Sequence, residues 1–435
     1  MSSGERLQVA GRMAPSDTEV PARDMQAFVL ELGRALALAG TAVSETQERL
    51  TAVAAASGIP DARVVVLPTA LIISLGPAGL ASIESIPQFG GGLRLDQISA
   101  LYDLVGEAER GDVEPESGLS RLRDIRAMEP RHGPATTVAA YGAMTVGLCL
   151  VLQPTPSDVL LSAVLGLVIG LLAQQAHGRP RLFVLAPVLA ATVASACSFE
   201  ALKHGIGDPG LRTLIAPLVI FLPGSALTTG TVELASGEMV AGASRLVFGS
   251  VQLLLLAFGI VAGAELAGLP SEAVLKDVPV NTLGSWAPWL GVTVFGLAAS
   301  VHFSAPRRAV PWLMLVLLSA WVGQLLGDQL VSGDVSGFFG ALVMTPIAMA
   351  VARLPGGPPS QVTFLPAFWL LVPGALGLIG VTQVVGNPAA ATLGDLVRPI
   401  GSIVSIALGV LGGVSLYRGV GAARPFRRLA SRDVD

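Results

Sequence analysis

The sequence predicts an all-α polytopic membrane protein with about ten transmembrane helices in a 5+5 inverted repeat and a small N-terminal α/β domain. Of the 435 residues, 52% are hydrophobic and only 13% are charged, about half the charged share of a typical soluble domain. Apolar runs of membrane-spanning length recur from about residue 135 onward. A Pro-Gly pair interrupts an apolar run twice, at Pro223-Gly224 and, 150 positions later, at Pro373-Gly374.

Charge separates the two parts of the chain. Residues 1–134 hold 12 of the 27 basic and 18 of the 31 acidic residues, which predicts a soluble domain followed by a membrane domain. Residues 1–20 lack the apolar core of a signal peptide and are predicted to be a disordered tail. The net charge of −4, without a basic cluster interleaved with aromatics, argues against nucleic acid as a partner.

Residues 21–131 carry the patterns of a small cytoplasmic α/β domain. Apolar residues at helical spacing predict a first helix that ends at Gly40. Ser44 is the predicted N-cap of a second helix, with Gln47 as its capping-box partner. A β-branched stretch predicts a strand pair, or one long strand broken at Pro68. The other predicted elements are a strand over 80–86 and amphipathic helices over 95–110 and 117–128.

No cofactor or metal is predicted. The chain has no phosphate loop of the type GxxxxGKS or GxxxxGKT, which argues against ATP-driven transport. Its two cysteines, Cys149 and Cys197, lie in apolar spans without metal-ligand spacing, and we interpret them as packing residues.

Ten apolar spans are predicted in two modules, residues 135–268 and 285–417, with a basic tail over 418–435. Loops on the side of the soluble domain and the tail hold eleven arginines, whereas the opposite loops hold four lysines and arginines. This bias predicts that both termini are cytoplasmic. The approximate spans are 135–153, 157–176, 182–201, 211–230, 244–268, 285–304, 309–327, 335–353, 361–383 and 395–417.

The two Pro-Gly pairs fall in the fourth and ninth spans, which cross the membrane in opposite directions because they are five spans apart. Proline breaks or kinks a helix, and a broken span is tolerated only where protein buries it or where it lines a wet cavity. Interrupted spans at matching places in two halves indicate the binding site of a secondary transporter. Chance recurrence of a common kink motif is the alternative.

Ionisable residues follow the first break, and such residues in a span are functional by default. Glu233 and Glu238 could coordinate an amine or take up a coupling proton, or they could be loop carboxylates paired with Arg245. Arg245 could hold a substrate carboxylate, or it could be an anchor at the inner membrane face.

Hydroxyl and amide side chains complete the candidate set. Ser225, Thr228 and Thr229 could donate to a substrate carboxylate together with N–H groups freed at the break; the alternative is helix–helix hydrogen bonding. Gln252 and Gln383 either line the pathway or bridge helices.

Five stretches carry a resemblance to a known family. They are LELGRALALAGTAVSETQERLTAVAAASGI, RVVVLPTALIISL, LRLDQISALYDLVGEAERG, FLPGSALTTGTVELASGEMVAGASRL and FLPAFWLLVPGALGLIG. Over about residues 22–417 the chain resembles the threonine/serine exporter family. The family's motif falls on Pro223, Gly224, Glu233, Gly237, Gly242 and Arg245.

The resemblance implies a cytoplasmic N-domain, ten spans, and export of L-threonine and L-serine across a bacterial inner membrane, driven by the proton-motive force. Its implied partners are the amino acid, protons and the lipid bilayer; a homo-oligomer is left open. Two positions depart from the family pattern. Glu233 stands where aspartate is more frequent, and Ala375 replaces a serine after the second Pro-Gly pair.

Two other functions stay open at this stage. Related two-chain systems are associated with a dicarboxylate, so export of a dicarboxylate such as succinate is the first alternative, and it would require more than one cation near the pathway. A membrane-anchored ligand sensor or hydrolase is the second. The chain has no GxSxG nucleophile elbow, and ten spans are more than anchoring requires.

Overall fold

The computed structural model describes residues 19–430 with short gaps at 75–80, 87–91, 153–154, 177–178, 207–213, 269–281, 332–334, 372 and 387–392. The backbone alone is described at 19–23, 180, 183, 373–377, 393–396, 398 and 420–430. The predicted disordered tail therefore lies almost wholly outside the described residues, as do Arg212 and Lys276 of the predicted loops.

The N-terminal part combines four helices with a three-stranded antiparallel sheet of order β1-β2-β3. The elements are α1 (Glu19–Leu38), α2 (Val43–Ala56), β1 (Arg63–Leu67), β2 (Ala70–Ser74), β3 (Ser82–Ser85), α3 (Leu95–Glu109) and α4 (Pro115–Ala127). Leu67 pairs with Ala70 across a tight turn at Pro68, so the strand pair, not one long strand, is correct. Phe28, Leu32 and Leu36 of α1 are fully buried in the domain core, as their helical spacing predicts.

The predicted cap of α2 is wrong. The helix begins at Val43, and its N-cap residue is Ala42, whose side chain makes no capping bond. Ser44 lies inside the first turn instead of in front of it.

A helix lies at each of the ten predicted spans. They are α5 (Pro134–Val151), α6 (Pro156–Ala176), α7 (Pro180–Lys203), a 3₁₀ helix (Ala216–Phe221) with α8 (Gly224–Ala235), α9 (Met239–Leu266), α10 (Ala287–His302), α11 (Val310–Leu330), α12 (Ser336–Ala352), α13 (Ser360–Leu371) with α14 (Pro373–Gly386), and α15 (Leu393–Ala430). A new helix therefore begins at each Pro-Gly pair, where the missing N–H of proline has no helical partner to lose. Helix α15 extends well past the predicted span end at 417.

Six helices among the described residues are long and apolar enough to cross a membrane by length and composition alone. They lie at Pro134–Val151, Pro156–Ala176, Val184–Lys203, Met239–Leu266, Arg307–Leu330 and Pro399–Gly419. Three shorter apolar helices are Ala287–His302, Ser336–Ala352 and Ser360–Leu371. The interrupted spans fall short of this length because the Pro-Gly break divides each of them in two.

The same helix contacts occur in both halves of the membrane part. In the first half, α7 packs on α9, and α8 contacts both α9 and α15. In the second half, α12 packs on α15, and α14 contacts both α15 and α9. A Cβ at Gly259 of α9 would lie 2.6 Å from the Val188 carbonyl oxygen, and a Cβ at Gly409 of α15 would collide with the Phe338 carbonyl oxygen. Gly259 and Gly409 are 150 positions apart, and so are Val188 and Phe338. Glycine is needed at both places because the backbones touch.

The N-terminal part, predicted from the sequence to be a soluble domain, is seated directly on the membrane helices. Its hydrophobic core continues into Ala309, Leu313 and Val362, which belong to the membrane part. The Leu95 N–H at the start of α3 donates to the Phe303 carbonyl oxygen at 3.0 Å. This seating brings the first turn of α2 against the end of α8.

Candidate functional site at the end of the first broken helix

The first Pro-Gly break leaves backbone carbonyls that require donors. Leu222 has extended backbone angles between the 3₁₀ helix and α8, and Pro223 is the N-cap of α8. The Gln252 Nε2 donates to the Phe221 carbonyl oxygen at 2.9 Å, and the Tyr141 hydroxyl donates to the Pro217 carbonyl oxygen at 2.7 Å. The Gln252 side chain therefore bridges α9 and the 3₁₀ helix, and its amide satisfies a carbonyl that the break leaves free.

The hydroxyls after the break differ in burial. Thr228 is fully buried, and its Oγ1 has no hydrogen-bond partner among the described residues. Ser225 and Thr229 are half-buried. Thr382 of α14, the helix that packs against α8, is likewise buried, and its hydroxyl has no partner in the described part of the chain. Thr382 is not among the residues that the sequence pattern singles out, and its only signal there is its place beside Gln383.

Glu233 lies at the other end of α8, and its carboxylate is buried with only 1% of the side chain exposed. Oε2 accepts a hydrogen bond from the Arg245 Nε at 2.9 Å. Oε1 accepts a hydrogen bond from the Val43 backbone N–H at 3.1 Å. A buried charge is costly unless it is paired and hydrogen-bonded, and here both oxygens are engaged.

The bond to Val43 caps α2 from outside the soluble domain. Val43 is the first residue of the helix, and the first-turn N–H groups have no partner within the helix. The carboxylate of Glu233 therefore supplies the acceptor that the sequence assigned to Ser44. No local pattern could have revealed this cap because 190 positions separate the two residues.

Of the remaining candidates, Glu238 and Gln383 have described side chains, whereas Pro373 and Gly374 have only a described backbone. Glu238 is the half-buried N-cap residue of α9, and it is Glu233 that makes the ion pair with Arg245. Gln383 is half-buried on α14, ten positions after Pro373, as Glu233 is ten positions after Pro223. Pro373 and Gly374 begin α14, but their side-chain surroundings lie outside the described residues. Within the described residues, no group of three His, Cys, Asp or Glu side chains is placed to hold a metal.

A polar network surrounds the first turn of α2. Arg49 Nε donates to the Glu45 carboxylate at 3.0 Å, and its guanidinium lies over the Tyr102 ring. The Tyr102 hydroxyl is 3.0 Å from the Thr41 hydroxyl. Burial, with the charge of Glu45, raises the pKa of Tyr102. Gln361 of α13 reaches Glu45 at 3.4 Å, so this network also joins the soluble domain to the membrane part.

Comparison with known proteins decides the family. A family model described as "Putative threonine/serine exporter" matches residues 27–267, more than half of the chain. The chain belongs to this threonine/serine exporter family. The match covers the soluble domain, the first break and the buried pair of Glu233 and Arg245, and it confirms the resemblance found in the sequence.

Curated relatives of this exporter-family chain are fungal membrane proteins. The "Pheromone-regulated membrane protein 10" of Debaryomyces hansenii is 24% identical over 81% of this chain and 36% of its own length. Its namesake in Eremothecium gossypii is 23% identical over 88% of this chain and 53% of its own length. The chain therefore spans about a third to a half of these relatives, and it is a membrane protein as they are. No solved structure matches it.

Proposed function

We propose that this chain is a secondary transporter that exports small hydroxy amino acids, L-threonine and L-serine, driven by the proton-motive force. The observation that carries the proposal is the buried Glu233–Arg245 pair at the end of an interrupted helix. The ends of interrupted membrane helices form the substrate and ion sites of many secondary transporters, and half-helices at a break offer free backbone groups to a substrate.

The proposed architecture is ten spans in two inverted modules of five. It is supported by a helix at every predicted span, by interrupted helices in the fourth and ninth places, and by the matching packing of α7 on α9 and α12 on α15. The recurrence of Gly259 and Gly409 at the spacing of the two Pro-Gly pairs supports it further. Alternating access about a site between the modules is the mechanism that such repeats serve.

The roles follow from the chemistry of the side chains. Arg245 can hold a substrate carboxylate, and Glu233 can exchange a proton or bind the substrate's ammonium group. Thr228, whose buried hydroxyl has no partner among the described residues, can bond the hydroxyl or carboxylate of a substrate. The N-terminus of α8 at Gly224 and Ser225 offers N–H groups to an anion.

A dicarboxylate such as succinate is the second candidate substrate. Arg245 is the only lysine or arginine between positions 212 and 276. A second carboxylate would therefore lack a cation on α8 and α9. This charge balance favours a substrate with one carboxylate and one ammonium group.

We propose that the protein lies in a bacterial inner membrane, and the arginine bias of the loops supports cytoplasmic positions for both termini. Cysteines introduced for Asp112 in the soluble domain and for Lys203 at the end of α7 test the topology in a variant lacking Cys149 and Cys197. An impermeant maleimide added to sealed cells should label position 203 and not position 112. Labelling of both positions from one side would contradict the ten-span arrangement.

Transport is tested with purified protein in liposomes under a pH gradient, with labelled threonine, serine and succinate in parallel. Wild type should move threonine and serine, and an ionophore should abolish the flux. Glu233→Gln should lose gradient-driven flux, whereas Glu238→Gln, a matched carboxylate five positions away, should retain it.

Succinate flux without threonine flux would select the dicarboxylate alternative. Folded wild type that moves none of the three solutes under either gradient would refute the transporter proposal. It would direct attention to ligand binding or hydrolysis by the soluble domain.

A further inference from the structure

We propose that the N-terminus of α2 positions the Glu233 carboxylate, so that the soluble domain sets the pH at which transport takes up its proton. The inference rests on the proposed function, since it assigns Glu233 the coupling proton. Val43 is the positioning residue, and it acts through its backbone N–H.

The geometry identifies Val43 as a partner of the ionised carboxylate. Its N–H lies 3.1 Å from Oε1, while Arg245 occupies Oε2. A backbone N–H at a helix N-terminus stabilises an anion both by the hydrogen bond and by the helix dipole. The contact is buried: Val43 is 2% exposed and Ala241, at the start of α9, is 3% exposed.

The soluble domain holds α2 in this place by several independent contacts. Gln361 of α13 bonds Glu45 in the first turn of α2, and the Leu95 N–H bonds the Phe303 carbonyl oxygen. Arg308 pairs with Asp103 of α3 at 3.0 Å. The donor that faces Glu233 is therefore fixed by the seating of the whole domain, and a shift of the domain would move this donor away from the carboxylate.

Few other charges surround the carboxylate. Helices α13 and α14 carry no titratable residue, and α8 carries only Glu233. The charged and titratable groups with described side chains on the elements packed around α8, and in the turn that follows it, are Arg245, Glu238, Glu265, Glu45, Glu48, Arg49, Tyr417 and Arg418. Of these, Arg245 contacts Glu233 directly, so the N–H of Val43 and the guanidinium of Arg245 are the groups that hold its charge.

Val43→Pro removes this one donor with little other change. Proline is favoured at the first position of a helix, and Ala42 already has the extended angles, φ −62° and ψ 149°, that precede proline. Val43→Ala is the matched control because it shortens the side chain and retains the N–H. A second variant, Ala42→Asp, places a negative charge beside the carboxylate, with neutral Ala42→Asn as its control.

The experiment measures threonine flux in liposomes from pH 5 to 9 at a constant gradient. Val43→Pro should move the half-maximal pH upward by about one unit, because a hydrogen bond to a charged group is worth about that much. Val43→Ala should follow wild type. Ala42→Asp should also move the profile upward, and Ala42→Asn should not.

The outcomes separate the two proposals. If wild type transports but the proline and aspartate variants keep its pH profile, the positioning role is refuted and the transporter proposal stands. If Val43→Pro does not fold, the aspartate and asparagine pair decides the question. If wild type transports nothing, the proposed function fails, and the positioning role fails with it.

Discussion

Gly259 and Gly409 occupy equivalent places in two helices that lie 150 positions apart in the chain. Each glycine packs against a carbonyl oxygen, of Val188 and of Phe338 respectively, and these two residues are also 150 positions apart. Helices can approach this closely only where no Cβ intervenes. The contact supports the proposed repeat more directly than the Pro-Gly pairs do, because it joins helix positions in three dimensions.

This packing predicts that Gly409→Ala lowers the unfolding free energy by about 1–3 kcal/mol, the usual cost of overpacking. Gly401→Ala is the control in the same helix, since a Cβ there meets no atom within 4 Å. Its stability should be unchanged or slightly raised, because alanine is the better helix former. Unfolding in detergent with increasing denaturant measures both. Equal effects of the two substitutions would contradict the close contact.

Breaking the buried pair should destabilise the fold. Glu233→Ala leaves the Arg245 guanidinium and the Val43 N–H without their acceptor, and we expect a loss of about 2 kcal/mol, since Arg245 is partly exposed. In Arg245→Ala the carboxylate loses its cation. The double variant should lose less than the sum of the two, because neither charge is then left alone. Additive losses in denaturant unfolding would show that the two residues do not interact.

The Tyr102 hydroxyl should make stability depend on alkaline pH. Burial raises the pKa of Tyr102 above its value in an unfolded chain, so its contribution to stability is complete below about pH 10 and is lost as the pH rises further. Tyr102→Phe removes the contact with Thr41 and should cost about 1 kcal/mol at neutral pH.

Thermal unfolding between pH 8 and 11 checks this prediction. Wild type should lose stability above about pH 10, and the phenylalanine variant should lose less over the same interval. A parallel fall of the two curves would mean that this hydroxyl is not buried.

The bond between Gln252 and the Phe221 carbonyl oxygen should hold the first break in place. Gln252→Leu keeps most of the side-chain volume and leaves the carbonyl without this donor, so we expect a loss of about 1 kcal/mol. Val251→Leu, one position away and exposed, should have no effect. Indistinguishable unfolding of the two variants would show that the amide is dispensable at the break.

Much of the fold follows from local patterns in the sequence. Helical spacing of apolar residues identified α1 and α3, apolar runs of membrane-spanning length identified the membrane helices, and β-branched residues identified β1 and β2. The Pro-Gly pairs located both breaks because proline disfavours a helix interior, although Pro187, Pro346 and Pro366 alone do not end the helices that contain them. The wrong prediction of Ser44 as N-cap also comes from a local pattern. The acceptor at the start of α2 is the carboxylate of Glu233, which lies outside the N-terminal part.

The sequence predicted which residue types form the candidate site, but it did not predict which of them contact each other. Glu233 and Arg245 stand out as ionisable residues near an apolar break, and their pairing was one of the hypotheses that the sequence left open. Which carboxylate makes the pair depended on the turn between α8 and α9, which places Glu233 inward and leaves Glu238 half-exposed. The buried Thr382 could be recognised only once α14 was seen against α8.

The sequence by itself determined where the apolar helices and the two interruptions lie, because hydrophobic patterns and proline geometry act over a few residues. Only the tertiary structure decided that Glu233 caps α2, that Gln252 satisfies Phe221, and that Gly409 meets Phe338. These contacts join residues 31 to 190 positions apart. Their formation depends on the packing of whole helices, and on the requirement that a buried charge or carbonyl find a partner wherever the fold provides one.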